Sequence, residues 1–213
     1  MTKKIAIIDY GLGNIFSIKQ ALLRCDAEVV VTDSHEVIKA ADGLLLPGVG
    51  AFTDAMLRLN RSGLAQLIQE EVQNKKPLLG VCLGLQLLFD RSFEFGESKG
   101  LGLIPGDVIQ FPTSYESHSL RVPFIGWNTV NRTDSQTSNK LLEGISEKEK
   151  FYFVHSYHAK PADENCVVAY CDYLSYVYPA IIQVGHIVGV QGHPEKSSEA
   201  GLRFYKNWID SIK

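Results

Sequence analysis

A mostly parallel sheet flanked by helices, an α/β fold with a more antiparallel, strand-rich C-terminal half, is what this sequence predicts. Two patterns carry the prediction. Up to residue 81, short apolar runs alternate with segments of helical spacing, as strands joined by crossover helices do. After about residue 108, apolar runs follow one another with turns between them, which suits antiparallel pairing. The length of 213 residues fits one compact domain over 1–213.

Each element has a local reason. Residues 4–9 read as a buried strand, and Asn14 is placed to cap a helix through about Arg24. Strands follow at 28–32 and 43–46, the second ending at Pro47, which cannot donate to a ladder. Helices are read at about 51–59 and 64–74, and Pro77 opens a strand ending at Val81. Beyond it, strands are read at 108–111, 129–131, 151–156, 166–170, 181–184 and 187–191. Residues 131–141 are polar and read as a loop, and a helix closes the chain over about 198–212. There is no internal repeat or low-complexity tract.

Composition removes several functions. With 24 acidic and 21 basic side chains and a formal charge of −3, there is no polybasic footprint, and nucleic acid is not an expected partner. The apolar run at 5–8 is too short, and too soon followed by Asp9, for a secretory signal. No stretch approaches the roughly 20 apolar residues of a membrane span, so a cytoplasmic protein without a membrane partner is expected. Cys25, Cys82, Cys166 and Cys171 form no C-x-x-C pair and are expected to be free thiols. The six histidines are scattered, so neither a metal nor a cofactor is expected. Asp9-Tyr10-Gly11-Leu12-Gly13-Asn14 begins like a dinucleotide loop, but Phe16 stands where the third glycine is needed. That segment reads as a tight turn into a helix.

Two short motifs carry chemistry. Gly80-Val81-Cys82-Leu83-Gly84 follows a buried strand and precedes apolar residues at helical spacing. Glycines two residues either side of a nucleophile mark a strand-to-helix elbow, which sets a thiol at a helix N-terminus where the thiolate is favoured. The bland alternative is a buried core cysteine. The second motif is Gln191-Gly192-His193-Pro194-Glu195. Pro194 disfavours helix at His193, and residues i and i+2 of an extended segment share a side. His193 and Glu195 can then be the base and its orienting carboxylate, completing an activated nucleophile with Cys82.

These motifs resemble the class I, triad-type glutamine amidotransferases, whose signatures are G-x-C-x-G and H-P-E. The resemblance runs over nearly the whole chain, through Asp9-Tyr10-Gly11-x-Gly13-Asn14, Leu46-Pro47-Gly48-Val49-Gly50-Ala51-Phe52, Gly100-Leu101-Gly102-Leu103-Ile104-Pro105-Gly106, Val122-Pro123-x-x-Gly126-Trp127-Asn128, Phe153-Val154-His155-Ser156-Tyr157 and His193-Pro194-Glu195-Lys196-Ser197. Pro-Gly-Val-Gly and Gly-Trp-Asn are most similar to the glutaminase subunits of imidazole glycerol phosphate synthases. The resemblance implies a class I amidotransferase fold and a glutamine substrate. It implies Cys82, His193 and Glu195 as catalytic residues, and glutamine contacts from Gly48, Val49, Gly50, Leu83, Gln86, His155, Ser156 and Tyr157. It also implies a (β/α)₈ cyclase partner of a lyase-type synthase in histidine biosynthesis, facing Asn14, Trp127 and Asn128. Val49 is β-branched where many relatives have glycine and resists a backbone turn, so the subunit is expected to idle until its partner binds.

Three positions depart from the family pattern. Gly192 stands where Phe is common, and a looser backbone at His193 is expected. Phe124 stands where His is frequent, and residues 171–179 lack a Tyr-Gly hairpin signal. These leave open a paralogous glutaminase feeding another synthase, such as one modifying a surface-polysaccharide sugar. A stand-alone cysteine hydrolase and a non-catalytic scaffold are more distant alternatives.

Overall fold

Ile5, Ala6, Ile7 and Ile8 are all fully buried, because the strand they form is covered on both faces. Ile5 and Ile7 join the apolar cluster beneath the first and last helices, while Ala6 and Ile8 join the one on the opposite face. Alternation of side chains along a strand requires that split. The computed structural model describes residues 2–133 and 139–213.

The first part of the chain runs β1 (Lys4–Ile8), α1 (Ile15–Arg24), β2 (Glu28–Thr32), α2 (His35–Lys39), β3 (Gly43–Leu46), α3 (Phe52–Arg61), α4 (Leu64–Gln73), β4 (Leu78–Val81) and α5 (Leu83–Leu87). It continues with β5 (Phe89–Ser92), β6 (Ser98–Lys99), β7 (Ile104–Gln110), β8 (Ser114–Tyr115), β9 (His118–Ser119), β10 (Phe124–Thr129) and β11 (Asn131–Arg132). The last elements are β12 (Lys150–His155), β13 (Tyr157–Pro161), β14 (Val167–Tyr173), β15 (Tyr176–Val184), β16 (Ile187–Val190) and α6 (Ser198–Ser211).

The central sheet has the order β11-β14-β15-β16-β4-β3-β1-β2. From β2 to β16 its pairs are parallel, and from β16 to β11 they are antiparallel. A smaller sheet, β13-β7-β5-β6, and a ribbon of β10 with β12 complete the C-terminal half, beside the short β8–β9 hairpin. The expected α/β architecture is therefore present, with its antiparallel part at one edge.

Several local expectations change. α2 was not anticipated, since five residues are too few to display a helical period. The apolar run after Cys82 is helical only to Leu87, and Phe89 begins β5. The strand expected at 129–131 is divided: Thr129 ends β10, paired with Lys150, whereas Asn131 pairs with Tyr170 in the central sheet. Accordingly 131–141 is not simply a loop, although its residues 134–138 lie outside the described residues. Asn14 occupies the cap position of α1, but its side chain makes no capping hydrogen bond. The hairpin that residues 171–179 did not advertise is present. Leu174 and Ser175 both adopt positive φ, 53° and 73°, as a two-residue type I′ turn requires, and Ser175 N–H donates to Asp172 Oδ1 at 2.8 Å.

Candidate active site

Three neighbouring strands, β3, β4 and β16, end at the same edge of the sheet. Ligands of open α/β sheets bind outside the carboxyl ends of the strands. The Gly48–Val49–Gly50 turn follows β3, Cys82 follows β4, and His193 follows the end of β16 by three residues.

The elbow is a consequence of close backbone approach. Cys82 has φ 54° and ψ −111°, a left-handed conformation that costs of order 1–3 kcal/mol for a residue with a Cβ. Its N–H donates to Val190 O at 2.8 Å, which ties the turn to β16. A Cβ on Gly84 would overlap the Leu46 carbonyl, and one on Gly48 would stand 2.8 Å from Gly84 N and Leu83 Cβ. The two glycines thus let the first turn of α5 lie directly against the end of β3. Tyr10 Oη donates to Pro47 O at 2.7 Å and pins the β3 turn from below.

His193 is extended, with φ −108° and ψ 90°. Its Nδ1–H faces Glu195 Oε1 at 2.8 Å, and both side chains are buried. The pairing is made across a 3₁₀ turn at Pro194–Lys196 rather than along an extended strand, so the expected neighbours meet by a different route. Glu195 Oε2 accepts from Tyr205 Oη of α6 at 3.3 Å. Gly192 does not loosen this segment. His193 N–H donates to Tyr152 O at 2.8 Å and Ser197 Oγ donates to His193 O at 2.6 Å. A Cβ at Gly192 would come within 3.2–3.3 Å of Phe151 and Phe153, so the two β12 side chains pack directly against this glycine.

The electrostatics suit a cysteine–imidazole pair. Burial alone would lower the pKa of His193, but the Cys82 sulfur and the Glu195 carboxylate both favour the charged ring and raise it. His193 Nε2 is buried with no hydrogen-bond partner, leaving that nitrogen available beside the thiol. His155 behaves oppositely: burial lowers its pKa to about 3. Its Nδ1–H donates to Tyr157 O at 2.9 Å, so the neutral ring presents a bare Nε2.

A cleft of about 310 Å³ gathers Cys82 and His193 with Val49, Gly50, Leu83, Gln86, His155, Ser156 and Tyr157. Of the expected glutamine contacts, Gly48 alone does not line it, being packed behind the wall against α5. Asn14, Trp127 and Asn128 also stand away from the cleft. Trp127 is half-exposed, its ring 5.7 Å from Tyr152, while Asn128 Nδ2 donates to Asp172 O at 2.6 Å. Sequence reading missed Glu94, Pro123 and Val154 in the wall. It also missed Gln191, whose amide reaches the Cys82 sulfur. A polar residue ending the apolar run of β16 was the available signal for Gln191; Glu94 had none. Among the described residues, no three His, Cys, Asp or Glu side chains cluster as metal ligands would, and no helix is long and apolar enough to cross a membrane.

The family description "Glutamine amidotransferase class-I" matches residues 6–211. This chain belongs to the class-I glutamine amidotransferases. The amidotransferase is 45% identical over 206 residues to the imidazole glycerol phosphate synthase subunit HisH of Geobacillus kaustophilus, covering 96% of this chain and 95% of that one. It is 44% identical to the subunit of the same name from Moorella thermoacetica, covering 99% and 96%. Among solved structures, PurLQS from Thermotoga maritima shares the amidotransferase fold with a TM-score of 0.73 at 18% identity, over the full length of both chains. The glutaminase domain of Trypanosoma brucei CTPS does so with 0.64 at 17% identity, over 98% of this chain and 94% of that one.

Proposed function

We propose that this chain is the glutaminase subunit of an imidazole glycerol phosphate synthase, hydrolysing glutamine through a Cys82 thioester and passing ammonia to a (β/α)₈ cyclase. The observation that carries the reading is the meeting of Cys82, His193 and Glu195 at one sheet edge, with His193 Nδ1 2.8 Å from Glu195. HisH relatives at 42–45% identity over nearly the full chain support the choice of synthase.

The chemistry follows from the residues. His193 Nε2 takes the thiol proton of Cys82, and the thiolate adds to the side-chain amide carbon of glutamine. Charge moves onto the amide oxygen, where the Leu83 N–H and a backbone N–H of Gly48–Val49–Gly50 receive it. Losing one such donor costs about 2.7–4 kcal/mol in comparable sites. The C–N bond then breaks, with His193 giving its proton to the departing nitrogen, and ammonia leaves. Water adds to the γ-glutamyl thioester, its proton passing to His193, and glutamate is released as Cys82 regains its proton. Glu195 holds the imidazole in its tautomer throughout. Glutamine itself would lie against Gln86, His155, Ser156 and Tyr157.

Trp127, Asn128 and Asn14 are assigned to the cyclase-facing side, and Val49 to partner-dependent switching. The test is glutamine hydrolysis by the purified chain, alone and with a cyclase subunit plus its nucleotide ligand. Stimulation of at least tenfold, absent in Cys82→Ala, is expected. Full turnover by the free subunit removes the switching claim. Equal, unstimulated turnover with the cyclase present points to a different synthase, such as one acting on a polysaccharide sugar.

A further inference from the structure

The side chain of Gln191 is fully buried between two other polar groups of the site. Gln86 Nε2 donates to Tyr157 O at 2.9 Å and to Gln191 Oε1 at 3.2 Å, and Gln191 Nε2 lies 3.8 Å from the Cys82 sulfur. The polarity of this chain is forced from one end. Tyr157 O is a backbone carbonyl and can only accept, so the Gln86 atom facing it must be the NH₂ group. The same NH₂ faces Gln191, so the Gln191 atom that meets it must be the carbonyl oxygen. That leaves the Gln191 NH₂ directed at the sulfur. Neither amide can flip without setting two like atoms against each other at side chains that are themselves buried, where an unmade hydrogen bond is costly.

We propose that Gln191 is a positioning residue for the nucleophile, its side-chain amide presenting an N–H donor to the Cys82 sulfur in an orientation dictated by Gln86 and the Tyr157 carbonyl. Such a donor stabilises the thiolate over the thiol and restrains rotation of the sulfur away from His193. It works from the residue directly after β16, on the side of Cys82 reached through Gln86, and complements the imidazole. The relay also joins the nucleophile to the Ser156–Tyr157 wall of the cleft. The role in turnover rests on the glutaminase reading above; the contact with the sulfur does not.

The test uses full-length chain, with and without the cyclase and its nucleotide ligand, in two variants. Gln191→Met keeps the volume and removes the amide. Gln191→Glu keeps the bond from Gln86 and sets an oxygen where the donor stood. The readouts are kcat and KM for glutamine and the iodoacetamide alkylation rate of Cys82 at pH 7, followed by peptide mass mapping. Thermal midpoints identify any variant that fails to fold, and the other then decides. Expected is a fall of about tenfold in kcat and in Cys82 alkylation for Gln191→Met, about 1.4 kcal/mol of barrier, with KM within twofold. Gln191→Glu should lose more. The proposal is overturned if either folded variant alkylates at the wild-type rate or faster, or if KM rises while kcat is unchanged. If wild-type protein itself fails to turn over glutamine, the glutaminase reading fails, while the alkylation rates still decide the contact.

Discussion

His155, in the cleft wall, and the buried His158 hold opposite electrostatic roles to the histidine beside the thiol. Burial lowers His155 to about 3 and His158 to about 4, against an ordinary value near 6.5. Both are therefore neutral in the folded chain and must take up protons to match the unfolded chain in acid. Their contribution to stability is complete above pH 6.5 and is lost as pH falls toward the lowered values, by up to about 1.4 kcal/mol per histidine per pH unit. His193 has the reverse sign. Its raised value means that it is protonated in both states below 6.5, so it adds no slope there and loses its contribution only as pH rises. Urea unfolding at pH 7 and pH 5 should show a drop of a few kcal/mol, and His158→Phe should roughly halve the slope. A flat profile over that interval would contradict the burial of these rings.

At the scale of elements, the site depends on how closely α5 is drawn onto β3. Gly84→Ala sets a methyl against the Leu46 carbonyl, a backbone atom that cannot swing aside, and overpacking of this kind costs about 1–3 kcal/mol or more. Gly126→Ala is the control, because a Cβ there meets nothing nearer than 3.6 Å. Thermal melts should separate the two, with Gly84→Ala lowered by several degrees and Gly126→Ala within a degree or two. The same close approach explains what the sequence made legible. G-x-C-x-G states a backbone constraint in residue types, and His193-Pro194-Glu195 does likewise, so the two side chains that share the cleft could be named as candidates before any coordinates. The β14–β15 turn was hidden because Leu174 and Ser175 adopt positive φ without glycine to announce it. The end of α5 carried no signal, because Leu87 and Leu88 are followed directly by Phe89 of β5 with no glycine or proline between. Glu94 was invisible because it reaches the cleft from a loop whose path only tertiary packing sets.

For the whole molecule, the parallel strands β3, β4 and β16 act as a jig. Each delivers one part of the site to a common edge, from positions in the chain more than 30 residues apart. The β10–β12 ribbon and the start of β13 add the wall at His155, Ser156 and Tyr157 and the half-exposed Trp127, whose ring leads through Tyr152 toward His193 at 5.7 and 6.3 Å. The cleft and the half-exposed Trp127 are thereby joined by short aromatic contacts. The central claim is that the sulfur of Cys82 becomes covalently glutamylated. Acid quenching of the stimulated chain during turnover, followed by mass mapping, tests it most directly. The account predicts a γ-glutamyl adduct on the peptide containing Cys82, absent in Cys82→Ala and accumulating when thioester hydrolysis is slowed. Glutamine consumed at the wild-type rate by Cys82→Ala, with no adduct on either protein, would contradict it.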